Sequence, residues 1–326
     1  MIVPEPRGRD VTSARLLRLR ARNCIEIGLV NNMPDAALEA TERQFRALLD
    51  AAATSGMVVR LKLFALPDVP RGEAGRRHLS RYSDIGDLWN SRLDGLIVTG
   101  TEPRKPTLKD EPYWDSLTRL VDWAEHNTHS TVWSCLAAHA AVLHLDGIER
   151  RPLDGKRSGV FECSAASNHP LTAAAPSRIC MPHSRCNDLP EDALIASGYR
   201  VVLRSAAGVD AFARRRRSLF VFFQGHPEYE ADTLLLEYRR DVKRFLLRER
   251  ETYPPMPHGY FDEETAGALA AIEQRARADR CEERLADFPA DLAATVRDTW
   301  RPAAAFMYRN WLRYLCMQKE QRLSAT

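Results

Sequence analysis

Lysine is scarce in this sequence. Only Lys62, Lys105, Lys109, Lys156, Lys243 and Lys319 occur among 47 basic residues, arginine supplying the rest, so a lysine with a chemical task stands out. Excess charge of one sign is also missing: 44 acidic residues leave a net charge of +3, whereas a dedicated nucleic-acid binder carries a larger or more segregated excess. No apolar run approaches the roughly 18 residues that span a bilayer; the nearest, 131–145, contains Ser134, His139 and His144. The first 22 residues interleave Arg15, Arg18, Arg20 and Arg22 with leucines but lack the continuous apolar stretch and small-residue cleavage site of a secretory signal, and read as an arm. A disulfide framework is disfavoured, because the seven cysteines are odd in number and widely spread. These absences point to a globular protein of a reducing cytoplasm with no membrane or nucleic-acid partner.

What is present is a chain with 44% hydrophobic residues over 326 positions, enough for a sizeable core. An apolar strand at 24–30 ends at Asn31-Asn32-Met33-Pro34, and Asp35 stands where it can cap a helix carrying Leu38, Phe45, Leu48 and Leu49. Strands are predicted at 57–66 and 93–99, a helix at 113–126, a short strand at 131–134 and an alanine-rich helix at 136–145 stopped by Asp146-Gly147. This alternation predicts an α/β fold with a mainly parallel central sheet flanked by helices. Further on, short strands at 158–161, 200–204, 209–213 and 218–223 read as partly antiparallel, with Arg214 to Arg217 as a solvated turn. A long helix is predicted at 231–249, then peripheral helices and a last helix at 303–318. The implied organisation is an arm (1–22), a catalytic α/β domain (23–249) and a helical extension (250–326) whose last helix packs back on the domain.

Two motifs carry chemistry. Cys135 falls at a sharp strand-to-helix turn, where a helix N-terminus favours a thiolate, and the backbone N–H of Leu136 points toward the same place to hold an oxyanion. A second backbone donor is expected from the loop after Gly100, at Thr101. A cysteine so placed is otherwise a small buried hydrophobe. The other motif is Gln224-Gly225-His226-Pro227-Glu228, directly after an apolar strand: His226 is a general-base candidate and Glu228 its orienting carboxylate, the bland alternative being a capped turn. A cysteine elbow and a histidine–carboxylate loop at two strand ends of one sheet make a Cys–His–Glu arrangement.

With these motifs the chain resembles the class I glutamine amidotransferase-like fold and, within it, the MetA-type homoserine O-acyltransferases. The resemblance runs from about Cys24 to Gln318. It includes Asn32-Met33-Pro34, Glu39-Ala40-Thr41-Glu42-Arg43-Gln44-Phe45, the stretch from Asp94 to Gly100, Tyr113-Trp114, Lys156-Arg157-Ser158-Gly159, Pro182-His183-Ser184-Arg185, Gly225-His226-Pro227-Glu228-Tyr229 and Asn310-Trp311-Leu312. It implies Cys135 as the acylated nucleophile, His226 as the base and Glu228 as its partner, with Lys156, Ser184 and Arg240 at the amino-acid substrate. Arg240, fourteen positions after His226, is chemically suited to clamp an α-carboxylate. The implied reaction is ping-pong transfer from succinyl-CoA to the hydroxyl of L-homoserine in methionine biosynthesis, with no metal or bound cofactor, by a homodimer.

The resemblance is broken after Gly100. Arg104 stands where a small residue accompanies succinyl transfer and a glutamate acetyl transfer; a cation there matches the free carboxylate of a succinyl group, although Arg104 facing solvent or a CoA phosphate is the plainer reading. Glu102, nearby, is the alternative acyl selector, favouring acetyl-CoA. Leu136 also replaces a frequent aromatic residue. Cys180, His183 and Cys186, with Cys163 and His169 upstream, have ligand types suited to zinc, but His183 belongs to the matched Pro-His-Ser-Arg stretch. Serine as acceptor, glutamine amide hydrolysis by the same triad, and a non-catalytic descendant of the fold are the remaining alternatives.

Overall fold

The computed structural model describes residues 24–176, 178–289 and 292–325; the arm predicted over 1–22 lies outside them. The apolar run at its start forms β1 (Cys24–Val30), which pairs in parallel with β2 (Val58–Phe64) and β3 (Gly95–Val98). Parallel pairing continues through β4 (Ser130–Ser134) to β9 (Leu219–Phe223). From β9 the sheet turns antiparallel through β8 (Gly208–Arg215), β7 (Arg200–Ser205), β5 (Arg151–Ala165) and the edge strand β6 (Ile179–Asp188), giving the order β2-β1-β3-β4-β9-β8-β7-β5-β6. Connection length decides the change: parallel neighbours need a long crossover, whereas the short links between β7, β8 and β9 permit only hairpins.

Both faces of the central strands are covered, which is why they read as continuous apolar runs. Alternate residues divide between two layers. Leu96, Val98, Trp133, Phe220 and Phe222 pack with α2 (Trp114–Asn127) and α3 (Leu136–Asp146). Ile97, Val132, Val221 and Phe223 pack with α1 (Leu38–Ala52) and the last helix, α6 (Arg301–Ala325). A third cluster joins α4 (Thr233–Leu246), α5 (Glu263–Ala278) and Trp300 around Tyr238, Val242 and Ile272. Among the described residues no helix is long and apolar enough to cross a membrane.

The last helix is fastened to the sheet. Trp311 Nε1 donates to Ser130 Oγ at 2.9 Å, and Lys319 Nζ donates to Asp94 Oδ2 at 2.7 Å and to the Cys24 carbonyl at 2.8 Å. Gly95 permits the approach, because a Cβ there would lie 2.8 Å from Leu315 Cδ1 and 2.9 Å from the Trp311 ring.

Three local expectations are corrected. Asp35 does not cap α1: it lies in a preceding 3-10 turn and accepts the Gly72 N–H at 2.7 Å, while the cap position, Ala37, has no side-chain bond. The stretch from Cys180 to Cys186, absent from the predicted strands, lies in strand β6; Pro182 disguises it, and is tolerated because an edge strand needs no donor on its outer side. The arginines of 214–217, which begin inside β8, are not simply solvated, since Arg214 pairs with Asp146 and Arg216 with Glu125 at 2.9 Å.

Gly95→Ala should force Trp311 and Leu315 away from β3 at a cost of about 1–3 kcal/mol, read as a lower urea midpoint with an unchanged denaturant slope.

Candidate active site

Strands β4 and β9 are parallel neighbours in the register Ser134↔Phe223, so the residues that follow them leave the same edge of the sheet side by side. The Cys135 N–H donates to the Phe223 carbonyl at 2.7 Å, closing that last rung. Cys135 itself has φ 50° and ψ −112°, a conformation costly for a side-chain-bearing residue. The strain turns its side chain out of the strand at the head of α3, the geometry of a nucleophile elbow. Gly100 lies against the first turn of that helix: a Cβ there would fall 2.6 Å from Leu136 Cβ and 3.1 Å from the Leu136 nitrogen. Thr101, the next residue, therefore starts its loop beside the free N–H groups that follow Cys135.

After β9 the chain holds its histidine through the backbone, the His226 N–H donating to the Pro182 carbonyl at 2.8 Å. The side chain makes an Nδ1···Glu228 Oε1 contact of 2.8 Å, and the same oxygen accepts from Ser134 Oγ at 3.4 Å. The other ring nitrogen is left free of Glu228, and the imidazole and the Cys135 thiol interact electrostatically. His226 and Glu228 are buried, while Cys135 remains partly accessible. Burial pulls the His226 pKa down, but the charges of Glu228 and Cys135 and their hydrogen bonds outweigh it, so the imidazole titrates well above its ordinary range.

The structure brings Lys156 and Ser184 together on one partly buried carboxylate that sequence reasoning missed. Glu237 on α4 accepts from Ser184 Oγ, from Lys156 Nζ at 3.4 Å and, at its other oxygen, from Tyr229 OH at 2.8 Å. Lys156 also meets Asp241 at 2.7 Å, and the half-exposed Arg240 donates to Asp241 Oδ1. Burial pushes the Glu237 pKa up, yet Lys156, Ser184, Tyr229 and His226 together hold it below the usual carboxylate range. A signal was there to read: Asp241 shares the buried face of α4 with Tyr238, Val242 and Phe245, and a carboxylate at such a position requires partners.

Beyond Thr101 opens a cavity of about 490 Å³ whose walls include Arg71, Glu102, Arg104, Glu111 and Tyr113. Glu111, also unnoticed in the sequence, anchors the loop by accepting the N–H groups of Arg104 and Lys105. Arg71 Nε, Glu111 Oε2 and Tyr113 OH are buried there without hydrogen-bond partners among the described residues. Glu102 points instead to Arg244 on α4, at 3.5 Å. His183 is committed elsewhere: Nε2 contacts Asp210 and Nδ1 accepts from Arg185 Nε at 3.2 Å. Strand parity sets His183 opposite Cys180 and Cys186 across β6. No cluster suited to a metal ion occurs among the described residues.

Glu228→Gln should lower the turnover rate by about 10²-fold or more, since a histidine base loses its orienting charge. The sign of the stability effect follows from the raised pKa: pairing stabilises the fold fully below about pH 6.5, the unfolded value, and its contribution is lost as pH rises through the folded pKa. The stability deficit of the variant should therefore shrink in alkaline solution, as read by urea unfolding across pH.

Comparison with known proteins accords with this geometry. A family model described as homoserine O-succinyltransferase matches residues 12–322. A homoserine O-succinyltransferase of Rhodopseudomonas palustris is 53% identical over 298 residues, covering 90% of this chain and 89% of that protein. One from Methylorubrum extorquens is 52% identical over 291 residues, covering 88% and 86%. Among solved structures, a glutamine amido transferase from Methylobacillus flagellatus superposes with a TM-score of 0.50 at 15% identity, over 90% of this chain and 95% of that one, a likeness of fold. With the family model spanning nearly the whole sequence and relatives above 50% identity over most of it, the chain belongs to the homoserine O-succinyltransferase family.

Proposed function

We propose that the protein moves the succinyl group of succinyl-CoA to the hydroxyl of L-homoserine, a step of methionine biosynthesis, through an acyl-cysteine at Cys135. The observation that carries this reading is the strained elbow of Cys135 at the end of β4, beside the parallel strand β9 whose following loop carries His226 with Glu228 bonded to its Nδ1. In the first half-reaction the Cys135 thiolate attacks the thioester carbon. The oxyanion is received by the Leu136 N–H and a backbone donor of the Thr101 loop. The bond to CoA breaks, and the departing sulfur takes the proton of the His226 imidazolium. In the second half the homoserine hydroxyl gives its proton to the now neutral His226, its oxygen attacks the acyl carbon, and the thiolate leaves. Glu228 stabilises the imidazolium in both halves without itself moving a proton.

The acceptor fits the polar group on α4. Arg240 offers a guanidinium for the α-carboxylate, and Lys156 and Ser184 border the same place. The donor fits the cavity beyond Thr101, where Arg71 and Arg104 stand in the wall and the Arg104 guanidinium makes no ion pair among the described residues. Glu102 shares that wall but pairs with Arg244 at 3.5 Å, so Arg104 is the side chain we assign to the acyl group. The reaction needs neither metal nor bound cofactor, acyl-CoA being a co-substrate. A reducing cytoplasm suits the seven free thiols, and a homodimer is the assembly the resemblance implies.

A matrix of acyl-CoA donors against amino-acid alcohols, with released CoA measured and products weighed, tests the reading. Succinyl-CoA with homoserine should dominate, and a strong preference for acetyl-CoA would contradict it. Arg104→Ala should cut kcat/KM for succinyl-CoA roughly tenfold, the worth of one charge-assisted hydrogen bond, while leaving the uncharged butyryl-CoA within about threefold.

A further inference from the structure

Tyr229 touches both halves of the site. Its ring lies flat on the imidazole of His226, with centroids 4.2 Å apart and planes 15° from parallel, and its hydroxyl donates to Glu237 Oε1 at 2.8 Å. It is buried, and its carbonyl is held by Trp300 Nε1 at 2.9 Å. Glu237 in turn gathers Ser184 and Lys156. The base and the amino-acid end of the site are therefore joined by a rigid chain: imidazole against phenol, phenol to carboxylate, carboxylate to hydroxyl and ammonium. His226 and Tyr229 are buried and Glu237 is largely covered, so a shift at Glu237 is passed through the phenol to the plane of His226. Burial and the neighbouring carboxylates Glu237 and Glu228 keep the Tyr229 hydroxyl protonated, so it remains a donor to Glu237 across the working range.

We infer that Tyr229 is a positioning residue, setting the orientation of His226 according to the state of the amino-acid site through Glu237. The inference rests on the acyl-transfer reading above and adds to it a coupling between the acceptor site and the base. Acylation of Cys135 by a CoA thioester does not use the amino-acid site, whereas transfer to the acceptor requires His226 to be aimed at a hydroxyl held there. The two half-reactions should therefore respond differently.

Tyr229→Phe keeps the stacked ring and removes only the bond to Glu237. With succinyl-CoA alone, acylation followed by rapid quench should stay within about threefold of the unaltered protein, while transfer at saturating homoserine slows about tenfold, a loss in rate and not in KM. Tyr229→Leu removes the stacking as well. In it the downfield proton resonance of the His226 Nδ1–H bonded to Glu228 should broaden or vanish, while Tyr229→Phe retains it. The resonance needs no substrate, so failure of the acyl-transfer reading, seen as no acyl-enzyme in the unaltered protein, is separable from failure of this one. Equal slowing of both half-reactions by Tyr229→Phe, transfer at the unaltered rate in that variant, or a sharp, unshifted resonance in Tyr229→Leu would overturn the inference.

Discussion

The parallel pairing of β4 with β9 is the constraint on which the rest of the site depends. Its register sets Ser134 beside Phe223, and the bond from the Cys135 N–H to the Phe223 carbonyl extends the ladder by one residue. A slip of one position would exchange the faces of every side chain on β9, moving Phe223 from one core layer to the other. The two layers of apolar packing, which reject such a slip, thereby fix the distance between Cys135 and His226. The strain at Cys135 is held by the same means, with β4 buried on both faces behind it and α3 buried almost throughout ahead of it.

A second consequence concerns the C-terminal helix. It is remote in sequence, yet Tyr308 stacks near Phe223 at 6.2 Å and Trp311 bonds to Ser130, so α6 supports the strands β4 and β9 that lead to Cys135 and His226. The segment before it reaches the site from the side, through Trp300 and the Tyr229 carbonyl. Sequence beyond the α/β core thus contributes to the stiffness of the site. Lysine scarcity gains a physical meaning as well: Lys156 pairs with Glu237 and Asp241, and Lys319 ties α6 to Asp94 and the start of β1.

Much of this was legible in the residues. The elbow at Cys135 and the loop at His226 were readable because each is a local pattern: an apolar strand, a break, then a helix or a glycine–proline turn. The central strands were readable because full burial leaves continuous apolar runs. Strand β6 was not, since Cys180, Pro182, His183 and Arg185 imitate a turn and only the edge position makes Pro182 acceptable. Asp35 was misread because its partners, Gly72 and Arg71, are distant in sequence. Glu237, Tyr229 and Glu111 escaped notice for a related reason. A carboxylate or phenol gains its role from groups that the fold brings to it, and periodicity carries no trace of them beyond an acidic residue on a buried face.

The central claim is that Cys135 carries the acyl group between the two substrates. Intact-protein mass spectrometry after mixing with succinyl-CoA alone tests it most directly. The account predicts a single succinyl adduct that maps to the peptide containing Cys135, is discharged on adding homoserine, and is absent from Cys135→Ala; an adduct that persists in Cys135→Ala would contradict it.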